Sequence, residues 1–206
     1  MLPSAELRWF YPGAVPQDVR QWFEGDCPGD WIEPPETRED VYLFVPGSEF
    51  LNLKHRRGRM ELKWRKAELG VLRFGDRWEG RGEKWVKWLC EDPGVDSMLP
   101  EDVLERQHWI AIQKTRSRRM YRLDANRQVE PVPPDRYIEC GGGLELTQLT
   151  VKGQSWWSLG FEVFGETRDL SVPLEAIAQA LAPTYTASPL KLSNSYAYPT
   201  LMSELS

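Results

Sequence analysis

A β-dominated α+β fold is predicted for this chain, with about eight mostly antiparallel strands closed or nearly closed into a tunnel-like barrel and helices packed outside. Three observations carry the prediction. Short runs with two-residue alternation recur along the chain and are separated by Pro-Gly, Arg-Gly and Lys-Gly turn signals. Several of these runs carry a charged face: Asn52 to Arg65 sets one against an apolar face, and from Ile110 to Arg118 one face changes from apolar to strongly basic along its length. Two segments, around Val19 and Leu174, instead space their apolar residues as a helix does. A sheet with a polar face turned inward and an apolar face under helices is a barrel.

A first strand, Ala5 to Tyr11, stops at Pro12-Gly13. Pro16 suits the first turn of a helix that carries Val19, Trp22 and Phe23 and ends near Gly25. Asp26 to Glu39, with Pro28, Gly29, Pro34 and Pro35 among acids, reads as a loop. Val41 to Val45 is a strand closed by Pro46-Gly47, and Val71 to Phe74 is another. A charged passage from Gly75-Asp76 leads to a strand through Trp85, Val86, Trp88 and Leu89. Glu91 to Glu105 holds a helix start at Pro100, and His108 to Leu123 is a long strand. Asp124 to Arg136, rich in proline, is a loop. Gly143 to Val151 and Trp156 to Phe164 form a hairpin through Lys152-Gly153-Gln154, and Ser171 and Pro173 begin a helix with Leu174, Ile177, Ala178 and Leu181 on one face. Residues 1–182 are expected as a single domain, and 183–206 as a loosely docked tail.

The strand pair between Phe50 and Arg65 is the most informative segment. With Arg57-Gly58 as a two-residue turn, the partners count outward as Arg56 with Arg59, Lys54 with Glu61, Asn52 with Lys63 and Phe50 with Arg65. The other face pairs Leu51 with Trp64, Leu53 with Leu62 and His55 with Met60, a face expected to pack on a core. Arg56 opposite Arg59 is unfavourable in an ordinary sheet, and a polyanion between them would relieve it.

Composition narrows the function. The 206 residues carry a net charge of −5, which argues against a general nucleic-acid binder, so any anion site must be local. Cys27, Cys90 and Cys140 are odd in number and widely spaced, which suggests reduced thiols and a cytoplasmic setting rather than a disulfide framework or a zinc site. No apolar run approaches the roughly 20 residues of a membrane span. The ten tryptophans suggest core filling between layers, with stacking platforms as the alternative.

Taken in order, a first strand with a glutamate, a helix, a Tyr-bearing strand, a Lys/Arg hairpin, a Lys-x-Arg strand and late Glu-bearing strands resemble the CYTH, or triphosphate tunnel, superfamily. The resemblance runs from about Glu6 to Glu162. It implies an eight-stranded tunnel that binds a triphosphate with a divalent metal, and so a phosphoanhydride hydrolase. Glu6 matches the first acid of the Glu-x-Glu-x-Lys signature, in which Arg8 and Phe10 replace the second Glu and the Lys. Lys54, Arg56, Lys63, Lys114 and Arg116 match the basic strands and are the expected phosphate-binding and catalytic cations, with Arg8, Arg65 and Arg118 as further phosphate ligands. Glu145 and Glu162 match the first members of two acidic pairs whose second members are Thr147 and Phe164 here. Glu6, Glu145 and Glu162 are therefore the expected ligands of Mg²⁺ or Mn²⁺. The implied partner is a small anion such as a nucleoside triphosphate or an inorganic polyphosphate.

Two alternatives stand beside metal-dependent hydrolysis. One is a receptor that senses a phosphorylated metabolite without turnover. The other is a lipocalin-like barrel around an apolar ligand or pigment, which requires Leu53, Leu62 and Trp64 inside and the cations outside. His55 and His108 read as packing residues, and Gly141-Gly142-Gly143, with no Lys-Ser/Thr after it, reads as a flexible lead into a strand rather than a phosphate loop.

Overall fold

The computed structural model describes residues 2–90, 108–124, 126, 128–166 and 169–205. The strands among them are β1 (Leu2–Pro12), β2 (Glu36–Leu43), β3 (Leu51–Arg56), β4 (Arg59–Phe74), β5 (Trp78–Cys90), β6 (Trp109–Leu123), β7 (Val129–Val132), β8 (Gly141–Val151) and β9 (Gln154–Phe164). Their order is β2-β3-β4-β5-β1-β9-β8-β6, and a β2–β6 pairing joins the ends into a closed eight-stranded antiparallel barrel, with β7 added beside β6. The helices are α1 (Gln17–Gln21), continued by a π-helical turn Trp22–Asp26, then α2 (Ser171–Leu181) and α3 (Tyr198–Glu204). The helix expected near Pro100 falls outside the described residues.

Turn chemistry sets the hairpins. Arg57 and Gly58 both take positive φ, 48° and 72°, as do Lys152 and Gly153, at 47° and 76°. Two such residues in succession twist as the flanking strands do. The β3–β4 register is accordingly the one counted from the sequence, Lys54 opposite Glu61 and Asn52 opposite Lys63.

Two apolar cores hold the barrel. The larger lies outside it, where Leu7 and Trp9 of β1, Leu144 of β8 and Leu159 and Phe161 of β9 pack under Val19, Trp22 and Phe23 and under Leu174, Ile177 and Leu181 of α2. The approach is close at Gly142, where a Cβ would lie 2.6 Å from Val163 and 2.7 Å from Ile177. The glycine run is therefore buried strand, not a flexible lead. The smaller core fills one end of the barrel. Phe10, Tyr42, Ile110, Ile112, Leu149 and Val151 meet Leu201 and Met202 of α3 there, so the C-terminal helix stoppers that end.

Several expectations change. β2 begins at Glu36, not Val41, because Glu36, Arg38, Asp40 and Tyr42 alternate inward in a stretch read as loop. Val71 to Phe74 is the far half of β4, separated from the hairpin by register shifts between Arg65 and Ala67 and between Glu68 and Gly70. Such bulges break the two-residue alternation and so disguise one strand as two. The charged passage after Gly75 lies mostly within β5, and Val129–Val132 forms β7 inside the expected loop. The segment from Pro183 is packed, with Tyr185, Leu190, Leu201 and Met202 all buried. Finally, the apolar face of the β3–β4 hairpin does not meet a core. Trp64 is 49% exposed, whereas Lys54 and Glu61 are each 8% exposed.

Candidate functional site

That inversion decides which face of the barrel is inside. The interior is charged, and the lipocalin-like arrangement, which needs Leu53, Leu62 and Trp64 within, is excluded. An internal cavity of about 80 Å³ is lined by nine Lys and Arg side chains from β1 to β6 and by the glutamates Glu6, Glu61, Glu83, Glu145 and Glu162. Away from α3 it adjoins a wider vestibule of about 680 Å³, and Lys87 and Glu162 line both spaces.

The charges sort into two clusters. Near α3, the wholly buried Asp40 gathers cations. Arg56 donates to both its oxygens, from Nε at 2.5 Å and from Nη2 at 2.7 Å. Lys114 Nζ lies 2.8 Å from Asp40, Arg38 Nε 3.4 Å and Lys54 Nζ 3.9 Å. Lys54 also pairs with Glu61 at 2.9 Å. Aromatic rings complete this end. Tyr198 of α3 stacks on Tyr42, and Lys114 Nζ sits 3.8 Å from the centroid of the Tyr198 ring while donating to Tyr42 Oη.

Nearer the mouth the arrangement reverses, and cations hold acids. Lys63 Nζ donates to Glu6 at 2.6 Å and to Glu162 at 3.1 Å. Glu145 lies between Arg8, at 3.0 Å, and Arg116, at 2.5 Å, and Arg116 reaches on to Glu36. Glu6 and Glu162 are register partners across β1 and β9.

Proton affinities follow from this geometry. Burial pushes the Lys54 and Lys114 ammoniums down to about 7, assisted by the neighbouring arginines and opposed by Asp40. Burial alone would raise the Asp40 carboxyl, but the Arg56 hydrogen bonds and the Lys114 and Lys54 charges hold it well below the usual carboxylate range. Lys63 holds Glu162 down to about 2 against the effect of burial. On Glu145, burial is outweighed by Arg116 and Arg8, and its carboxyl is likewise held low.

Of the expected phosphate ligands, Arg8, Lys54, Arg56, Lys63, Lys114 and Arg116 share the cavity. Arg65 and Arg118 are not among its lining residues. Arg65 is held by Glu83 at 2.7 Å, and Arg118 donates to the Pro134 carbonyl. Glu6, Glu145 and Glu162 do line the cavity, on the neighbouring strands β1, β8 and β9. Each is engaged by Lys63, Arg8 or Arg116, and among the described residues no group of three or more His, Cys, Asp or Glu is placed to hold a metal ion. Sequence reasoning missed Asp40, Arg38 and Tyr198. The alternation Glu36, Arg38, Asp40, Tyr42 would have revealed the first two, while nothing local marks Tyr198 as a cavity residue.

The chain matches no model of a known protein family and no curated protein. No helix among the described residues is long and apolar enough to cross a membrane.

Proposed function

We propose that the barrel is a receptor for a small phosphorylated anion, such as a nucleoside triphosphate or an inorganic polyphosphate, admitted through the vestibule and held by Lys54, Arg56, Lys63, Lys114, Arg116 and Arg8. The carrying observation is the lining of one dead-end cavity by nine cations against five carboxylates. Even when Asp40 and Glu36, which pair with these cations, are added, cations exceed acids. In the resting state the acids occupy hydrogen-bond donors that phosphate oxygens would take, so binding exchanges one set of charge-assisted bonds for another with the cations already desolvated and aimed. Affinity then depends on how far the ligand's higher charge outcompetes the resident carboxylates.

Calorimetry with tripolyphosphate tests this reading. Binding that weakens with added salt, and weakens by about tenfold or more in Lys114→Ala, is expected, since losing a charged hydrogen-bond donor costs about 1.5–3 kcal/mol. Salt-insensitive binding, or none, would exclude it.

A second reading, turnover of the bound phosphoanhydride with Mg²⁺ or Mn²⁺, is favoured by the placement of Glu6, Glu162 and Glu145 on three neighbouring strands. It requires Lys63 and the two arginines to leave these carboxylates. Phosphate release from tripolyphosphate or ATP that depends on the metal and vanishes in Glu145→Ala would establish it. Binding without release leaves the receptor.

A further inference from the structure

Among the charged groups of the site to which no expectation assigned a role, Asp40 is the most buried. Asp40 is 0% exposed, yet it does not line the cavity. It points inward from β2 beneath the cavity lining, and Arg56, Lys114, Arg38 and Lys54 converge on it. Its fork with Arg56 fixes that guanidinium in the plane of the carboxylate, and its contacts with Lys114 and Lys54 set the direction of both ammoniums.

We infer that Asp40 is a positioning residue of the anion site, which aligns Arg56, Lys54 and Lys114 and keeps the two lysines charged, so that it sets the upper limit of the pH range in which the barrel binds anions. This deepens the receptor reading and rests on it.

The effect of Asp40 on the lysines is electrostatic. Lys114 is 3% exposed, and it faces Asp40, Tyr42 and Tyr198, with Arg38 and Arg56 close enough to repel its charge. Lys54 faces Asp40 and Glu61 on the favourable side, and Arg56 and Lys114 on the unfavourable side. For Lys114, Asp40 is the one carboxylate among the described residues in direct contact. Burial and the neighbouring cations, Arg56 and Lys114 for Lys54 and Arg38 and Arg56 for Lys114, already place both ammoniums at the edge of neutrality. Removing the negative charge of Asp40 leaves the repulsion on Lys114 without a contacting carboxylate and that on Lys54 opposed by Glu61 alone, and both lysines release their protons at a lower pH. A phosphate-like anion would then meet Arg56 without the lysines beside it.

Sulfate is a suitable probe, because it does not titrate in the range of interest. Its affinity for the full chain, followed by NMR shift changes between pH 5.5 and 8.5, is expected to fall as pH rises through neutrality. In Asp40→Asn the fall is expected to move at least one pH unit toward acid, giving about tenfold weaker binding at pH 7 and a smaller loss, from misalignment alone, at pH 5.5. A variant weakened equally at every pH, or one whose profile coincides with wild type, would overturn the inference. Wild-type affinity independent of pH would do so without any variant, which covers the case of an Asp40→Asn chain that does not fold. If wild type binds no sulfate at any pH, the receptor reading fails, and titration of ¹³Cε-labelled lysines in the ligand-free proteins still decides the role of Asp40. The Lys54 and Lys114 midpoints must fall in the variant.

Discussion

The two ends of the cavity are mirror images in charge. Near α3 a single acid, Asp40, organises four cations, whereas near the mouth a single lysine, Lys63, organises two acids. The inner cluster leaves positive charge in excess after its internal pairing, which is the end where the proposed anion would bind. The outer cluster has no such excess, and its carboxylates are the ones a metal cation would have to win from Lys63. The contrast teaches that a cavity rich in both signs is not neutral throughout: the hub of each cluster sets the sign of the charge left over at that end.

Removing the hubs sharpens or breaks this contrast. Asp40→Ala strands several buried cations and is expected to destabilise the fold by about 3–5 kcal/mol. Lys63→Met leaves Glu6 and Glu162, both closer to water, and is expected to cost about 1–3 kcal/mol. Urea unfolding of the two variants measures the gap, and equal costs would remove the distinction between the ends.

Tyr198→Leu keeps the apolar stopper of α3 but takes away the ring beside Lys114. About 1–2 kcal/mol should be lost, with weaker anion binding and little change in any Mn²⁺ response at the outer cluster.

Stability should also depend on pH. The folded-state pKa values of Lys54 and Lys114, about 7, lie below the value of about 10.4 for an unfolded lysine. Between these limits the unfolded chain binds more protons than the folded one, so stability rises with pH. The urea midpoint should therefore be higher at pH 8.5 than at pH 6.5. The carboxylates act on the other side: Asp40 and Glu145, held low in the fold, contribute stability that is present above about pH 4 and is lost as pH falls further. The smallest change belongs to the outward face, where Trp64→Thr should alter stability by about 0.5 kcal/mol or less and leave anion binding untouched.

How much of this was legible in the sequence depends on whether the signal was local. The hairpin register followed from Arg57-Gly58, and the inward cations Lys54, Lys63, Lys114 and Arg116 followed from two-residue alternation with a charged face. Asp40 was hidden because Pro34-Pro35 and a run of acids imitate a loop, although the strand begins directly after them. The continuity of β4 was hidden by its bulges. Which face of the hairpin pointed inward could be argued but not read, since an apolar face suits either a core or an uncovered outer wall. The mutual neutralisation of the cavity charges was beyond the sequence altogether. Glu145 meets Arg8 from 137 residues away, and only barrel closure brings them together.

The place of β1 in the barrel has a consequence for how the molecule assembles. The first strand is flanked by β5 and β9, so its neighbours lie roughly 80 and 150 residues further along the chain. Nearly all of β1's ladder bonds span long loops, and the entropy of closing those loops must be met before the bonds form. Folding should accordingly be slow, on the order of milliseconds to seconds. Local hairpins such as β3–β4 and β8–β9 would form early, and the seams along β1 would be among the last to close.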